Sequence, residues 1–214
     1  MDEPFVHKIF SGMVQQKREG AMPFPWRLTI AETMELESAR IQTRGIKNKS
    51  RLYRTPDKAL FAYPIKHYAD WQTELADESI SYGAMGEHLS LLEMEEYTVC
   101  IGDVFHLGTA VIQVSQPGLP YLDATTPFRH IGFSRRIQKS GRTGWYFRVL
   151  EEGEAHCSTD LELMERLSPA WTIAACNEVM HVRKEDLRLA EDLAACEGLG
   201  ESWKKALNKR IRGY

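Results

Sequence analysis

Cysteine is scarce in this chain and never clustered. The four cysteines, Cys100, Cys157, Cys176 and Cys196, lie far apart, with no CxxC pair and no Cys/His spacing that suits a structural zinc. Scattered thiols of this kind read as free and mostly buried rather than as a disulfide framework. Cys157, in His156-Cys157-Ser158-Thr159, is the best candidate for an exposed one. No apolar run reaches the length that spans a bilayer. The opening MDEPFVHKIF lacks the basic-then-apolar order of a secretory signal, so cytoplasmic residence is expected. Charge of one sign is also missing. With 27 Lys and Arg against 30 Asp and Glu, the net charge of −3 offers no electrostatic case for nucleic acid. No repeat or low-complexity tract appears. What remains is an ordinary globular composition, 43% hydrophobic and 27% charged. Its 214 residues suffice for one substantial core and a small appendage. Oligomeric state is not legible.

The most informative stretch runs from Val99 to Tyr121. Gly102-Asp103 and Gly108-Thr109 read as tight turns. Phe105 and Leu107 fall on one face of the first strand, and Ala110, Ile112 and Val114 on one face of the next. The second strand runs into Gln116-Pro117-Gly118-Leu119-Pro120, where two prolines fix φ and remove amide donors. A stiff loop at the end of a buried strand is a good mount for chemistry, and the residue it presents is Tyr121.

Elsewhere, Lys8 to Gly12 and Leu36 to Gly45 read as strand and turn, Gln15 to Met22 as polar, and Met22 to Trp26 as loop. Ala59 to Tyr63 is a strand, and Pro64 suits the first turn of a helix carrying His67, Tyr68 and Trp71. Tyr82 to Leu92 reads as a glycine-rich loop. Ile131–Gln138, Gly144–Leu150 and Leu161–Met164 read as strands. Short strands joined by glycine turns argue for a mainly β fold, a barrel or sandwich. The character changes at Ser168-Pro169, a cap and first turn for a helix. A second helix is expected over 183–195. Leu199, Trp203, Leu207 and Ile211 then mark the apolar stripe of a third.

Other pieces, in order, are Pro56-Asp57-Lys58-Ala59, Tyr63-Pro64, His67-Tyr68-Ala69-Asp70-Trp71, Gly83 to Leu89, Gly141 to Leu150 and Asn177-Glu178-Val179-Met180-His181. With the ribbon and proline loop they resemble the MOSC family, named for the C-terminal domain of molybdenum-cofactor sulfurases. The resemblance covers roughly residues 44 to 212 and is closest to stand-alone bacterial members with a small three-helix domain. It implies a MOSC-like β-barrel over residues 1–167 and a three-helix domain over 168–214. It further implies a molybdenum-pterin cofactor, reduction of N-hydroxylated compounds or sulfur transfer, and an electron-donor protein as partner.

In the family, the residue after the second loop proline is typically a cysteine, thought to ligate molybdenum or carry a persulfide, tasks suited to a soft thiolate. Here Tyr121 stands at that catalytic and metal-ligating position, and a phenol is a hard oxygen donor that cannot form a persulfide. Gly118 replaces the family's arginine, Tyr53-Arg54-Thr55 its His-Gly-Gly, and His88 the asparagine of Gly-Glu-Asn-Leu. Lys47 to Arg51 lacks the family's acidic residues. These departures imply altered or lost catalysis; the alternative is a non-catalytic module that binds a ligand or a partner.

The candidate cofactor-binding residues are Lys58, Gly86, Glu87, His88, Gln116, Arg142, Thr143 and Arg148. Lys58, Arg142 and Arg148 are cations near strand ends that suit a phosphate or pterin pyrophosphate. Gly141-Arg142-Thr143-Gly144 could offer amides to an anion, or be a hairpin with a solvated arginine. Glu87 and His88 suit a proton relay or a surface pair. Gln116 could offer its amide to a ligand or cap the loop. His67 reads as packing or surface, Cys100 as a core thiol, and Glu93, Glu95 and Glu96 as a solvated acidic turn. Lys204, Lys205, Lys209, Arg210 and Arg212 read as a solvated face rather than a nucleic-acid surface.

Overall fold

The computed structural model describes residues 4–11, 14–17, 27–30, 34–43, 45–46, 55–118 and 132–213. Six short strands come first: β1 (Phe5–Ser11), β2 (Val14–Lys17), β3 (Arg27–Ile30), β4 (Met34–Leu36), β5 (Ser38–Gln42) and β6 (Gly45–Ile46). After a 3-10 turn at Pro56–Lys58 come β7 (Leu60–Pro64), α1 (Lys66–Leu75) and β8 (Leu89–Leu92). The ribbon β9 (Val104–Leu107) and β10 (Ala110–Pro117) follows, then α2 (Phe133–Ser140), β11 (Trp145–Glu151), β12 (Gly153–His156) and β13 (Leu161–Glu165). The helical end holds α3 (Ile173–Asn177), a π-turn at Glu178–Val182, α4 (Leu187–Ala194) and α5 (Glu201–Ile211).

An eight-stranded sheet in the order β13-β9-β10-β11-β7-β8-β1-β4 forms the body. The Val6 amide donates to the Thr159 carbonyl and the Leu161 amide to the Pro4 carbonyl, so the start of β1 meets the start of β13 and the sheet curls back on itself. The expected mainly β architecture with C-terminal helices is what the chain adopts. In the ribbon, Ala110 pairs with Leu107 and Ile112 with Phe105, and all four side chains are buried on one face. The period-2 alternation of the sequence therefore is the inner face of the sheet.

Several elements depart from expectation for definable reasons. Residues 133–140 are helical, not a strand. Phe133 and Ile137, four apart, are the buried pair, while Arg135 and Arg136 between them are exposed, which is a helical period. Gly132 and Gly141, both at positive φ, bound this helix. Pro64 ends β7 instead of opening α1, because it still pairs with Leu91. The first C-terminal helix begins at Ile173, capped by the Thr172 hydroxyl, not at Pro169. Residues 171 and 172 are held extended by the hydrogen bonds that Trp171 and Ile173 make with Ile101 and Val99. The next helix begins at Leu187, capped by Asp186, after the π-turn. Val14–Lys17 and Leu89–Leu92 are strands. Trp26 lies outside the described residues.

One hydrophobic cluster runs without a break from the sheet (Ile101, Ile112, Val114, Phe147) into the helices (Cys176, Leu193, Leu199, Leu207). Gly198 packs so closely on Gly102 that a Cβ there would come 2.8 Å from the Gly102 Cα. The helices thus complete the core of the sheet. Truncating fully buried Leu207 to alanine should therefore lower stability by about 2–5 kcal/mol. Urea unfolding should remain one transition by both far-UV circular dichroism and tryptophan fluorescence; earlier melting of the helices alone would contradict this packing.

Candidate functional site

The edge of the body where β7, β10 and β11 meet carries most of the predicted residues. Its keystone is the turn 141–144 between α2 and β11. Gly144, at φ +60°, lies against β7, where a Cβ would clash with the Ala62 carbonyl and come 2.9 Å from the Tyr63 ring. Gly118, the last described residue before the loop, lies on the same turn. A Cβ there would meet the Phe61 ring and come 2.6 Å from the Thr143 carbonyl. Glycine at both positions is a condition of this contact.

Glu96 holds the turn from below. One carboxylate oxygen accepts from the Gly144 amide at 2.8 Å, and the other is 2.8 Å from Nε2 of His67 on α1. Glu96 and His67 are about 95% buried. This corrects the expectation of a solvated acidic turn: Glu96 is the buried anchor, and only its neighbours face water. Asn177, at the end of α3, donates to the Thr143 hydroxyl at 2.8 Å and to the Gly141 carbonyl at 3.3 Å. The turn's amides are not free for an anion. Gly141 donates to Ile137, Arg142 to the Ser140 hydroxyl, Thr143 to Gly141 and Gly144 to Glu96.

The predicted cations are largely engaged. Arg142 pairs with Glu74 at 2.6 Å and Asp70 at 3.5 Å, and its guanidinium stacks 4.8 Å from the Trp71 ring. Arg148 pairs with Asp57 at 2.9 Å and donates to Gln113 and to the Gly198 carbonyl. Asp57 also accepts from the Glu201 amide at the start of α5. Gln116 accepts from the Ser202 hydroxyl at 2.8 Å, and Gly200 donates to the Ser115 carbonyl. Arg148 and Gln116 thus join the sheet to the helical end. Lys58 lies over the Tyr146 ring at 5.7 Å with no carboxylate partner among the described residues. Tyr121 lies outside the described residues.

Gly86, Glu87 and His88 are drawn into the interior instead. Gly86, at φ +79°, closes a turn on Gly83. His88 Nδ1 accepts from the Phe61 amide at 2.9 Å. Glu87 is fully buried. One of its oxygens accepts from the Tyr68 hydroxyl at 2.6 Å, the Gly83 amide at 2.7 Å and the Ser90 hydroxyl at 2.8 Å. Burial pushes the Glu87 carboxyl above its ordinary value, and the Tyr63 and Tyr68 phenols well above theirs.

All four cysteines are free and lie elsewhere. Cys100, Cys176 and Cys196 are buried, and burial pushes the Cys100 and Cys176 thiols up. Cys157, expected to be exposed, is half-buried and donates to the Leu36 carbonyl at 3.0 Å. Two of the basic residues near the C-terminus are internal partners: Arg210 binds the Val179 and Met180 carbonyls, and Lys204 the Glu197 carbonyl. Among the described residues no cluster of His, Cys, Asp or Glu is arranged to hold a metal, and no helix is long and apolar enough to cross a membrane. Sequence reasoning missed Glu96 and Asp57. An isolated acidic residue in a stripe of apolar ones would have been a signal; Glu96 sits among other glutamates and gave none.

Comparison with known proteins agrees in both halves. A family model described as MOSC domain matches residues 49–162, and one described as YiiM-like, 3-alpha helix domain matches 171–213. An uncharacterized protein, YflK of Bacillus subtilis, is 33% identical over 84% of this chain and 89% of its own. The crystal structure of YiiM from Geobacillus stearothermophilus superposes with a TM-score of 0.80 at 27% identity, covering 97% of this chain and 99% of that one. A Gibberella moniliformis protein named Reductase is 34% identical over 67% of this chain, which spans only 26% of that protein.

Two outcomes follow from the buried carboxylates. Glu96→Ala strands His67 and the Gly144 amide and should lower stability by about 3–5 kcal/mol. Glu96→Gln, which keeps an acceptor for Gly144, should cost less; urea midpoints compare the two. For Glu87, a folded pKa raised above the unfolded one means that the folded chain binds its proton more tightly. Its contribution is therefore most favourable below the ordinary carboxylate pKa and declines as pH rises towards the folded value. Wild type should gain stability relative to Glu87→Gln as pH falls from neutral to about 4, measured by urea midpoints across that range.

Proposed function

Because this chain belongs to the MOSC domain family, we propose that it is a ligand-binding member in which the family's thiolate-dependent chemistry is lost or altered. The observation that carries this reading is the placement of sulfur. The family's cysteine position is Tyr121, and every cysteine in the chain is accounted for elsewhere, three in the core and Cys157 bonded to Leu36. No thiol stands ready beside the turn 141–144 to hold a metal or carry a persulfide.

The described residues also do not fit an anionic molybdenum-pterin group. Its two expected arginine partners are neutralised by Asp70, Glu74 and Asp57, and the amides of the turn 141–144 are used within the protein. Lys58 alone among the three predicted cations has no carboxylate partner among the described residues. This set suits a ligand of low negative charge, a small polar or singly anionic molecule, better than a pyrophosphate. A second reading, reduction of N-hydroxylated compounds with an electron-donor protein, draws support from the relative named Reductase.

Metal analysis separates the two. Protein purified from cells grown with molybdate should contain no stoichiometric molybdenum and release no pterin on denaturation. A full equivalent of either would overturn the first reading in favour of the second. Tyr121→Cys should leave the molybdenum content unchanged, because the arginines stay paired. Recovery of bound metal in that variant would show that the tyrosine alone abolishes binding.

A further inference from the structure

The helix α2 is built against its own stability. It buries Phe133 and Ile137 and leaves its other residues exposed. Arg135 and Arg136 stand near its N-terminus, where the aligned backbone dipoles favour acids and disfavour cations. No acidic residue offsets them, and no side chain caps that end. Lys139 lies four positions from Arg135 and three from Arg136, so like charges face one another along the helix. Glutamate in place of either arginine would suit the helix better. Among the described helices, α2 alone carries cations without a single acidic residue.

The fold does not consume this charge. The helix α1 packs alongside, Trp71 meeting Phe133 at 4.9 Å, but its Asp70 and Glu74 turn to Arg142. Arg135, Arg136 and Lys139 have no carboxylate partner among the described residues. In a chain of net charge −3, they form a local concentration of positive charge. It adjoins the candidate site, because Gly141 at the end of α2 opens the turn 141–144.

We propose that the exposed face of α2 is a docking surface for an acidic face of a partner protein, whose carboxylates pair with Arg135, Arg136 and Lys139. The planar fork of arginine binds a carboxylate through two hydrogen bonds, and arginine is enriched at protein interfaces. Other anions fit this face less well. Three cations spread over a helix about 12 Å long do not converge on one small anion. The exposed positions, Ser134, Arg135, Arg136, Gln138, Lys139 and Ser140, include no apolar anchor for a membrane. A nucleic-acid strand running past α2 would meet the acids of α1 and a chain of net negative charge. A protein can present acids to α2 and bases to α1 on the same face. The docking face does not depend on the ligand reading above.

Fluorescence anisotropy with labelled oligoglutamate, standing in for the acidic face, tests this. The full chain should bind it at low ionic strength and several-fold more weakly at physiological salt. Arg135→Glu with Arg136→Glu should weaken that binding several-fold, while the urea midpoint stays the same or rises because both substitutions relieve the helix. Lys205→Glu with Lys209→Glu reverses as much charge on exposed positions of α5 and should leave binding unchanged. No binding at low ionic strength, equal loss in both variants, or tighter binding of a single-stranded oligonucleotide of the same charge would each overturn the proposal. A lowered urea midpoint in the α2 variant would also overturn it, by marking the arginines as parts of the fold.

Discussion

The edge where β7, β10 and β11 meet hangs on one buried carboxylate. Glu96 ties α1, through His67, to the turn 141–144, through the Gly144 amide. The start of α3 closes on the same residue, the Ala174 amide donating to the Glu96 carbonyl. The turn in turn seats Gly118, just after β10. A carboxylate withdrawn from water is tolerated only with such partners, and that requirement locks three segments far apart in sequence into one geometry.

The same economy of charge explains why the cations near the site differ from those of an anion pocket. Arg148 and Asp57 form a junction that also receives the start of α5, so the helical end and the sheet share one ion pair. Arg142 is held by α1 acids and the Trp71 face. Guanidinium groups already satisfied by carboxylates have little left to offer a pyrophosphate. The engagement of these arginines follows from the packing of α1 and of the helical end on the sheet.

Legibility in the sequence followed the range of the interactions. The ribbon β9–β10 was readable because alternation and glycine turns act over a few residues. The helix at 133–140 was not, since two apolar residues in a short polar segment fit either period. The start of the helical end was misplaced because hydrogen bonds to residues 99 and 101, some seventy positions earlier, keep 171 and 172 extended. Gln116, Arg142, Thr143 and Arg148, singled out from separate motifs, lie on or beside β10 and β11. Their partners were hidden, because Asp57, Glu74 and Ser202 lie 91, 68 and 86 residues away from Arg148, Arg142 and Gln116.

By itself, then, the chain order of short motifs determined the family, the mainly β architecture and the helical end. These depend on local periodicity and on residue identity, which are written along the chain. Which charged groups stand free and which are consumed was decided only in three dimensions. Burial and pairing are properties of segments brought together by folding, and no residue carries its partner in its own neighbourhood.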